Sequence, residues 1–231
     1  MRILISLYCF AVFVTSICFE NVPAQETTVA ASAAEGLEWL DQYREAAVKR
    51  WEKSIVELEA LDATEDAPSD AILFIGSSSV RRWDDIAIDM APYRTIRRGY
   101  GGAKYSDLAV FAKRLIEPHQ YRALVIFVGN DVTGKETDRT PDELEQLVQY
   151  VVGISHEHLP GVPVCLVEVT PTESRYKAWK EIRAANARLR EIALRTPDTY
   201  FIATAGHYLL PDGTPRSELF VEDRLHLNEQ G

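Results

Sequence analysis

Five short strand-like runs punctuate the chain from residue 71 onward, four of them apolar and the second, Arg94–Arg97, weaker, and the stretches between them carry apolar residues at helical spacing. The runs cover residues 71–75, 94–97, 123–128, 162–169 and 199–203. Between them, Leu108, Phe111, Ala112 and Leu115 share one helical face in residues 105–116. Ile182, Ala185, Leu189, Ile192 and Ala193 do the same in 177–195. Residues 141–156 begin as helices begin, with Thr140 as N-cap, Pro141 in the first position and Glu143 three residues after the cap. Apolar runs of four to eight residues bounded by turn residues read as buried strands. Strands alternating with helices imply right-handed crossovers, hence an α/β fold with a parallel sheet covered on both faces. We found no internal repeat.

Upstream, Leu37, Leu40, Ala47, Trp51, Ile55 and Leu58 recur at three-, four- and seven-residue steps, so residues 35–61 read as a packing helix. An acidic, Pro-containing linker follows to residue 70. The first 24 residues have the layout of a secretory signal: Arg2, an apolar stretch over residues 3–19, then small residues around Val22-Pro23-Ala24. The apolar stretch is interrupted and short beside the roughly 20 residues of a membrane span, and the polar, small-residue stretch from Gln25 to Ala34 favours cleavage over an uncleaved anchor. The expected organisation is a signal at 1–24, a tail, helix and linker at 25–70, and one domain at 71–231. The expected location is outside the cytoplasm, periplasmic or extracellular, with no stable membrane association after cleavage.

The formal net charge of −10 disfavours nucleic acid and anionic membrane as partners, since both need positive charge. Of the three cysteines only Cys165 lies outside the signal, within the apolar run at 162–169. That leaves no partner for an internal disulfide and points to a packed thiol rather than a reactive one.

The residues that close the first four runs are unusual. They are Gly76-Ser77-Ser78-Ser79, Gly99-Tyr100-Gly101-Gly102, Gly129-Asn130-Asp131 and Thr170-Pro171-Thr172. Open parallel sheets bind ligands beyond the carboxyl ends of their strands, near the switch in strand order. Taken singly, each group is a turn, cap or flexible loop; their joint placement favours a site. Near the end of the chain stands Asp223-Arg224-Leu225-His226. Acyl transfer through serine requires a base for the hydroxyl proton and a carboxylate to hold the imidazole. Alone, such an Asp-x-x-His is more often a cap and a surface histidine.

Together these residues resemble the SGNH hydrolases, also called GDSL-like lipases and acylhydrolases. The similarity is greatest to the branch reading Phe-Ile-Gly-Ser-Ser-Ser, here residues 74–79 followed by Val80-Arg81-Arg82-Trp83. It runs from about residue 71 to the end. The resemblance implies a three-layer α/β/α, flavodoxin-like fold with a five-stranded parallel sheet, and ester hydrolysis without metal or cofactor. It implies Ser78 as nucleophile, His226 as base and Asp223 as its orienting carboxylate. The oxyanion would be met by the N–H groups of Ser78 and Gly102 and the amide of Asn130. Residues 171–175, with Trp179 and Asn186 beyond them, also resemble this branch, making Arg175 a candidate substrate-binding residue or else a surface charge at a helix start.

The chain departs from the family pattern at several points. Ser77 stands where Asp is usual. The third block is either one residue shorter than usual or has Val128 in a glycine's place. Arg97 replaces the usual Asn, and Arg98 is either paired with a buried carboxylate or exposed. The sequence stops at Gly231, five residues after His226, where relatives continue into a closing helix. A shortened C-terminus, with His226 near a fraying end, is one expectation.

No apolar lid is visible in the sequence, which favours short acyl groups such as acetyl; export and acidity fit a small-molecule or glycan ester. The rival is a non-catalytic carbohydrate- or ligand-binding module on the same fold. A nucleotide-binding protein is disfavoured because neither glycine-rich stretch forms a phosphate-binding fingerprint. His119, His156, His158 and His207 match no metal-ligand spacing and are expected to be solvent-facing or capping. The sequence carries no signal of oligomeric state.

Overall fold

The five runs form five strands: β1 (Ile72–Gly76), β2 (Thr95–Gly99), β3 (Ala123–Phe127), β4 (Val164–Val167) and β5 (Thr199–Ile202). The computed structural model describes residues 38–65 and 67–231. The expected signal, the tail after it and the first residues of the expected first helix lie outside them. All strand pairs are parallel, in the order β2-β1-β3-β4-β5. This is the flavodoxin-like order, with its switch point between β1 and β3.

Chain direction explains how the helices divide. From β1 to β2 the chain steps towards one edge; from β2 onward it steps towards the other. Right-handed crossovers therefore place the first connection on one face and the later three on the opposite face. The later connections are the long helices α4 (Tyr105–Ile116), α5 (Pro141–His158) and α6 (Trp179–Arg195). Together with α1 (Glu38–Asp62) they bury Leu73, Ile75, Leu124, Ile126, Val164 and Leu166 of the sheet. The first connection is two four-residue helices, α2 (Ser78–Arg81) and α3 (Ile86–Asp89), too short to show any period in sequence. They cover Phe74 with Val80 and Ile86, and Trp83 packs edge-on against the Phe74 ring. Towards β5 this face is thinly covered: Cys165 is half-buried and Tyr200 is 53% exposed. Burial pushes the Cys165 thiol up, as expected of a packed cysteine. Residues 177 and 178, expected in a helix with α6, belong to a separate 3₁₀ turn, Glu173–Ala178.

Helix α1 packs where the site is built. Leu40, Ala47 and Ile55 join the main core. Trp51 lies edge-on to Tyr100 at 5.5 Å. Gly101 sits at φ +40, and a Cβ there would drive into the Trp51 ring, so only glycine fits. Arg114 of α4 clamps α1 through Glu59 (2.7 and 2.8 Å) and Glu52 (2.9 Å).

Arg98 is only 1% exposed and donates to Asp62 (2.6 and 2.9 Å) and Glu65 (2.8 Å). Its carboxylate partners thus come from the end of α1 and the turn after it. His119 corrects an expectation. Rather than facing solvent it is buried, with Nε2 3.4 Å from Asp62, and its carbonyl is bonded by the His158 ring at 2.8 Å. Burial lowers the His119 imidazole below its ordinary range.

Candidate active site

The first strand ends in a forced turn. Gly76 is at φ +148, and any Cβ would collide with the Phe127 carbonyl on the neighbouring strand. Its register partners are Gly99 on one side and Phe127 on the other. Ser77 is buried, donates its N–H to the Phe127 carbonyl at 3.0 Å, and occupies the N-cap of α2. Ser78 is therefore the first residue of α2, where the helix ladder does not use its N–H.

The Ser78 hydroxyl lies 2.9 Å from His226 Nε2, across 148 residues of sequence. His226 Nδ1 lies 2.7 Å from Asp223 Oδ2. The other carboxylate oxygen, Oδ1, accepts the N–H groups of Leu225 and His226, each at 2.9 Å. This tight turn requires Arg224 at φ +56, a left-handed conformation unusual for arginine. Burial works to raise the Asp223 carboxyl. The two N–H groups and the imidazole outweigh it and hold the carboxyl far below the usual carboxylate range. An ionised Asp223 keeps the proton on Nδ1 and leaves Nε2 free to accept from Ser78.

The backbone around His226 is hydrogen-bonded into the fold. The His226 carbonyl accepts the Val221 N–H at 2.9 Å, and Asn228 ties the segment to Leu219 and Glu218 at 3.0 and 2.7 Å. Sequence reading also missed Arg82 as a partner of the site: its guanidinium is 3.5 Å from Asp223 Oδ2.

The amide donors converge from two other strand ends. Gly102 lies between β2 and α4, and a Cβ there would sit 3.9 Å from Asn130 Nδ2. Asn130 Nδ2 donates to the Ala103 carbonyl at 3.0 Å. Val128 is buried in the core directly before Gly129-Asn130, and with it there Asn130 still reaches the loop that holds Gly102. Arg175 donates to the Gly129 carbonyl at 2.7 Å and to Asn130 Oδ1 at 2.6 Å. It is not a free surface charge. Asn186 of α6 bonds both the N–H and the carbonyl of Val169, at 2.8 and 3.0 Å, and so fixes the chain beyond β4.

Asp131 secures this loop from below. It is buried, and both of its oxygens accept the N–H of Tyr105, the first residue of α4, at 3.1 and 3.0 Å. Burial pushes its carboxyl up to about 7, against the Tyr105 N–H and the charges of Lys104 and Arg139. A carboxyl raised in the fold contributes stability that is complete below its unfolded value of 3.8 and is lost as pH rises through about 7. Urea unfolding is expected to show wild type losing roughly 2–3 kcal/mol more than Asp131→Asn between about pH 5 and about pH 8. Equal slopes for the two proteins would assign the pH dependence to other groups.

Among the described residues, no group of three or more His, Cys, Asp or Glu is placed to hold a metal ion, and no helix is long and apolar enough to cross a membrane. What the site can do is activate a hydroxyl and stabilise negative charge beside it.

The family model for the GDSL-like Lipase/Acylhydrolase family matches residues 62–231. No curated protein matches the chain. Among solved structures, a protein from Streptococcus pneumoniae superposes with TM-score 0.67 at 17% identity, covering 87% of this chain and 92% of its own. A GDSL-like lipase from Bacteroides thetaiotaomicron gives 0.59 at 17% identity, covering 79% and 89%. A carbohydrate esterase family 3 protein from Talaromyces cellulolyticus gives 0.50 at 15% identity, covering 70% and 89%. At such identities the likeness is one of fold.

Proposed function

The chain belongs to the GDSL-like lipase/acylhydrolase family and is a hydrolase acting on esters, and we propose that it works through a serine acyl-enzyme formed on Ser78. The observation that carries this reading is the 2.9 Å approach of the Ser78 hydroxyl to His226 Nε2, with Asp223 behind the ring.

His226 takes the hydroxyl proton as Ser78 Oγ bonds to the ester carbonyl carbon. Asp223 stabilises the imidazolium that results. The oxyanion is met by the N–H groups of Ser78 and Gly102 and by the Asn130 amide. Collapse breaks the bond to the alcohol, which leaves with the proton from His226. Water then attacks the acyl-enzyme, His226 takes its proton and returns it to Ser78, and the carboxylic acid is released.

For substrate we propose short-chain acyl esters, acetyl above all, carried on carbohydrate. No apolar lid is evident in the sequence, and the Talaromyces cellulolyticus protein of similar fold is a carbohydrate esterase. Residues 1–24 are proposed to direct export, which would bring the enzyme to glycan esters outside the cytoplasm. A fluorophosphonate probe is expected to label the protein at Ser78, located by mass spectrometry. Turnover of p-nitrophenyl acetate should exceed that of the octanoate by about tenfold or more in kcat/KM, since a site fitted to acetyl must be forced open to admit six further methylenes. Absence of both labelling and turnover would indicate a non-catalytic binding module; preference for octanoate would overturn the short-acyl assignment.

A further inference from the structure

We infer that Arg175 is a positioning residue for the oxyanion site: its guanidinium sets the place and orientation of the Asn130 amide, and it does not bind the substrate. The inference rests on the serine-hydrolase reading above and extends it to a residue outside the reacting set.

An asparagine amide has two ends of opposite character. Only the NH₂ end can stabilise an oxyanion; the carbonyl end would repel it. Arginine offers donors alone, so the 2.6 Å contact from Arg175 requires the oxygen of Asn130 at that position. On the other side, the Ala103 carbonyl accepts one Nδ2 hydrogen at 3.0 Å. Both ends of the amide are thus specified, and one N–H remains to face the carbonyl that Ser78 attacks. The guanidinium also donates to the Gly129 carbonyl at 2.7 Å. The fork therefore grips the backbone of one residue and the side chain of the next, which a lysine's single ammonium cannot reproduce. Arg175 is half-buried, so its charge polarises the amide in a medium less screening than water and strengthens the remaining N–H as a donor.

The turn that carries Arg175 is fastened to the other half of the site as well. The Ser174 N–H donates to the Arg224 carbonyl at 3.1 Å, within the Asp223–His226 loop. Glu173 accepts from the Ser217 hydroxyl and pairs with Arg224 at 3.4 Å. Residues 173–175 therefore join the oxyanion donor to the loop that bears the base.

The test is a double-mutant cycle on the full chain with p-nitrophenyl acetate, using Arg175→Met, Asn130→Ala and the pair. Losing an oxyanion donor costs about 10²–10³ in kcat, and misplacing one should cost on the order of 10–10². Arg175→Met is expected to lower kcat by that amount with KM within about threefold. In the Asn130→Ala background it should lower kcat by less than about twofold, because its target is gone. Binding of a boronic acid that forms a tetrahedral adduct on Ser78 should weaken in parallel with kcat. Arg175→Lys should be intermediate, and it serves in the cycle if the methionine variant unfolds. A rise in KM at unchanged kcat, or effects that multiply in the double variant, would overturn the inference by showing that Arg175 acts independently of Asn130. An inactive wild type that no fluorophosphonate labels would instead sink the serine-hydrolase reading and this one with it.

Discussion

Replacing Ser78 with alanine is expected to lower kcat for p-nitrophenyl acetate by on the order of 10⁶-fold, the scale of loss when a serine hydrolase is deprived of its nucleophile. The hydroxyl is the only group removed, and among the described residues its hydrogen bond is to His226 Nε2. Nothing in the fold leans on it. The turn at Gly76 is held by the Ser77 N–H to Phe127, and α2 is closed by the carbonyls of Ser77 and Ser78 accepting from Arg81 and Arg82. Alanine also suits a helix position at least as well as serine. The variant should therefore unfold at the same urea concentration as wild type within about 0.5 kcal/mol, while its fluorophosphonate labelling disappears. A residual rate within about tenfold of wild type, in protein free of contaminating esterase, would remove Ser78 from the chemistry.

The strand pattern was legible because the runs are bounded by turn residues and those of the central strands β1, β3 and β4 are apolar and send side chains into the core. The long helices were legible for the matching reason that their buried faces repeat over three turns or more, as in Leu108, Phe111 and Leu115 of α4. Helices α2 and α3 span four residues each, less than one full period beyond the first turn, so no pattern could reveal them. The site was legible in its membership but not in its wiring. Strand ends rich in serine, glycine and asparagine mark where a parallel sheet opens, and resemblance to a family supplied the roles. What Arg175 touches could not be read, because its partners lie 45 and 46 residues away and are reached through a 3₁₀ turn without hydrophobic period. Arg98 was ambiguous for a similar reason: its carboxylates stand in and just after the end of α1, a stretch that reads as a linker. His119 was misread because a histidine after proline in a connection ordinarily meets water; here the end of α1 and α5 cover it.

The second large effect concerns Asp223, where the local turn sharpens the expectation. In Asp223→Asn, one atom of the side chain must still accept the N–H groups of Leu225 and His226, which now reach Oδ1 at 2.9 Å each. Only the amide oxygen can do so. The NH₂ group is thereby directed to the position of Oδ2, which lies 2.7 Å from His226 Nδ1. A donor there forces Nδ1 to accept, so the ring proton moves to Nε2 and the ring can no longer take the Ser78 proton. The backbone turn thus selects the wrong imidazole tautomer, and kcat is expected to fall about 10⁴-fold. Because the turn keeps both of its N–H bonds, stability should change little. Asp223→Ala, by contrast, abandons two backbone donors beside the strained Arg224 and should lose about 1–3 kcal/mol as well as activity. The pair separates orientation from support. If Asp223→Asn retained activity within about tenfold of wild type, the carboxylate would not be what holds the imidazole in its working tautomer.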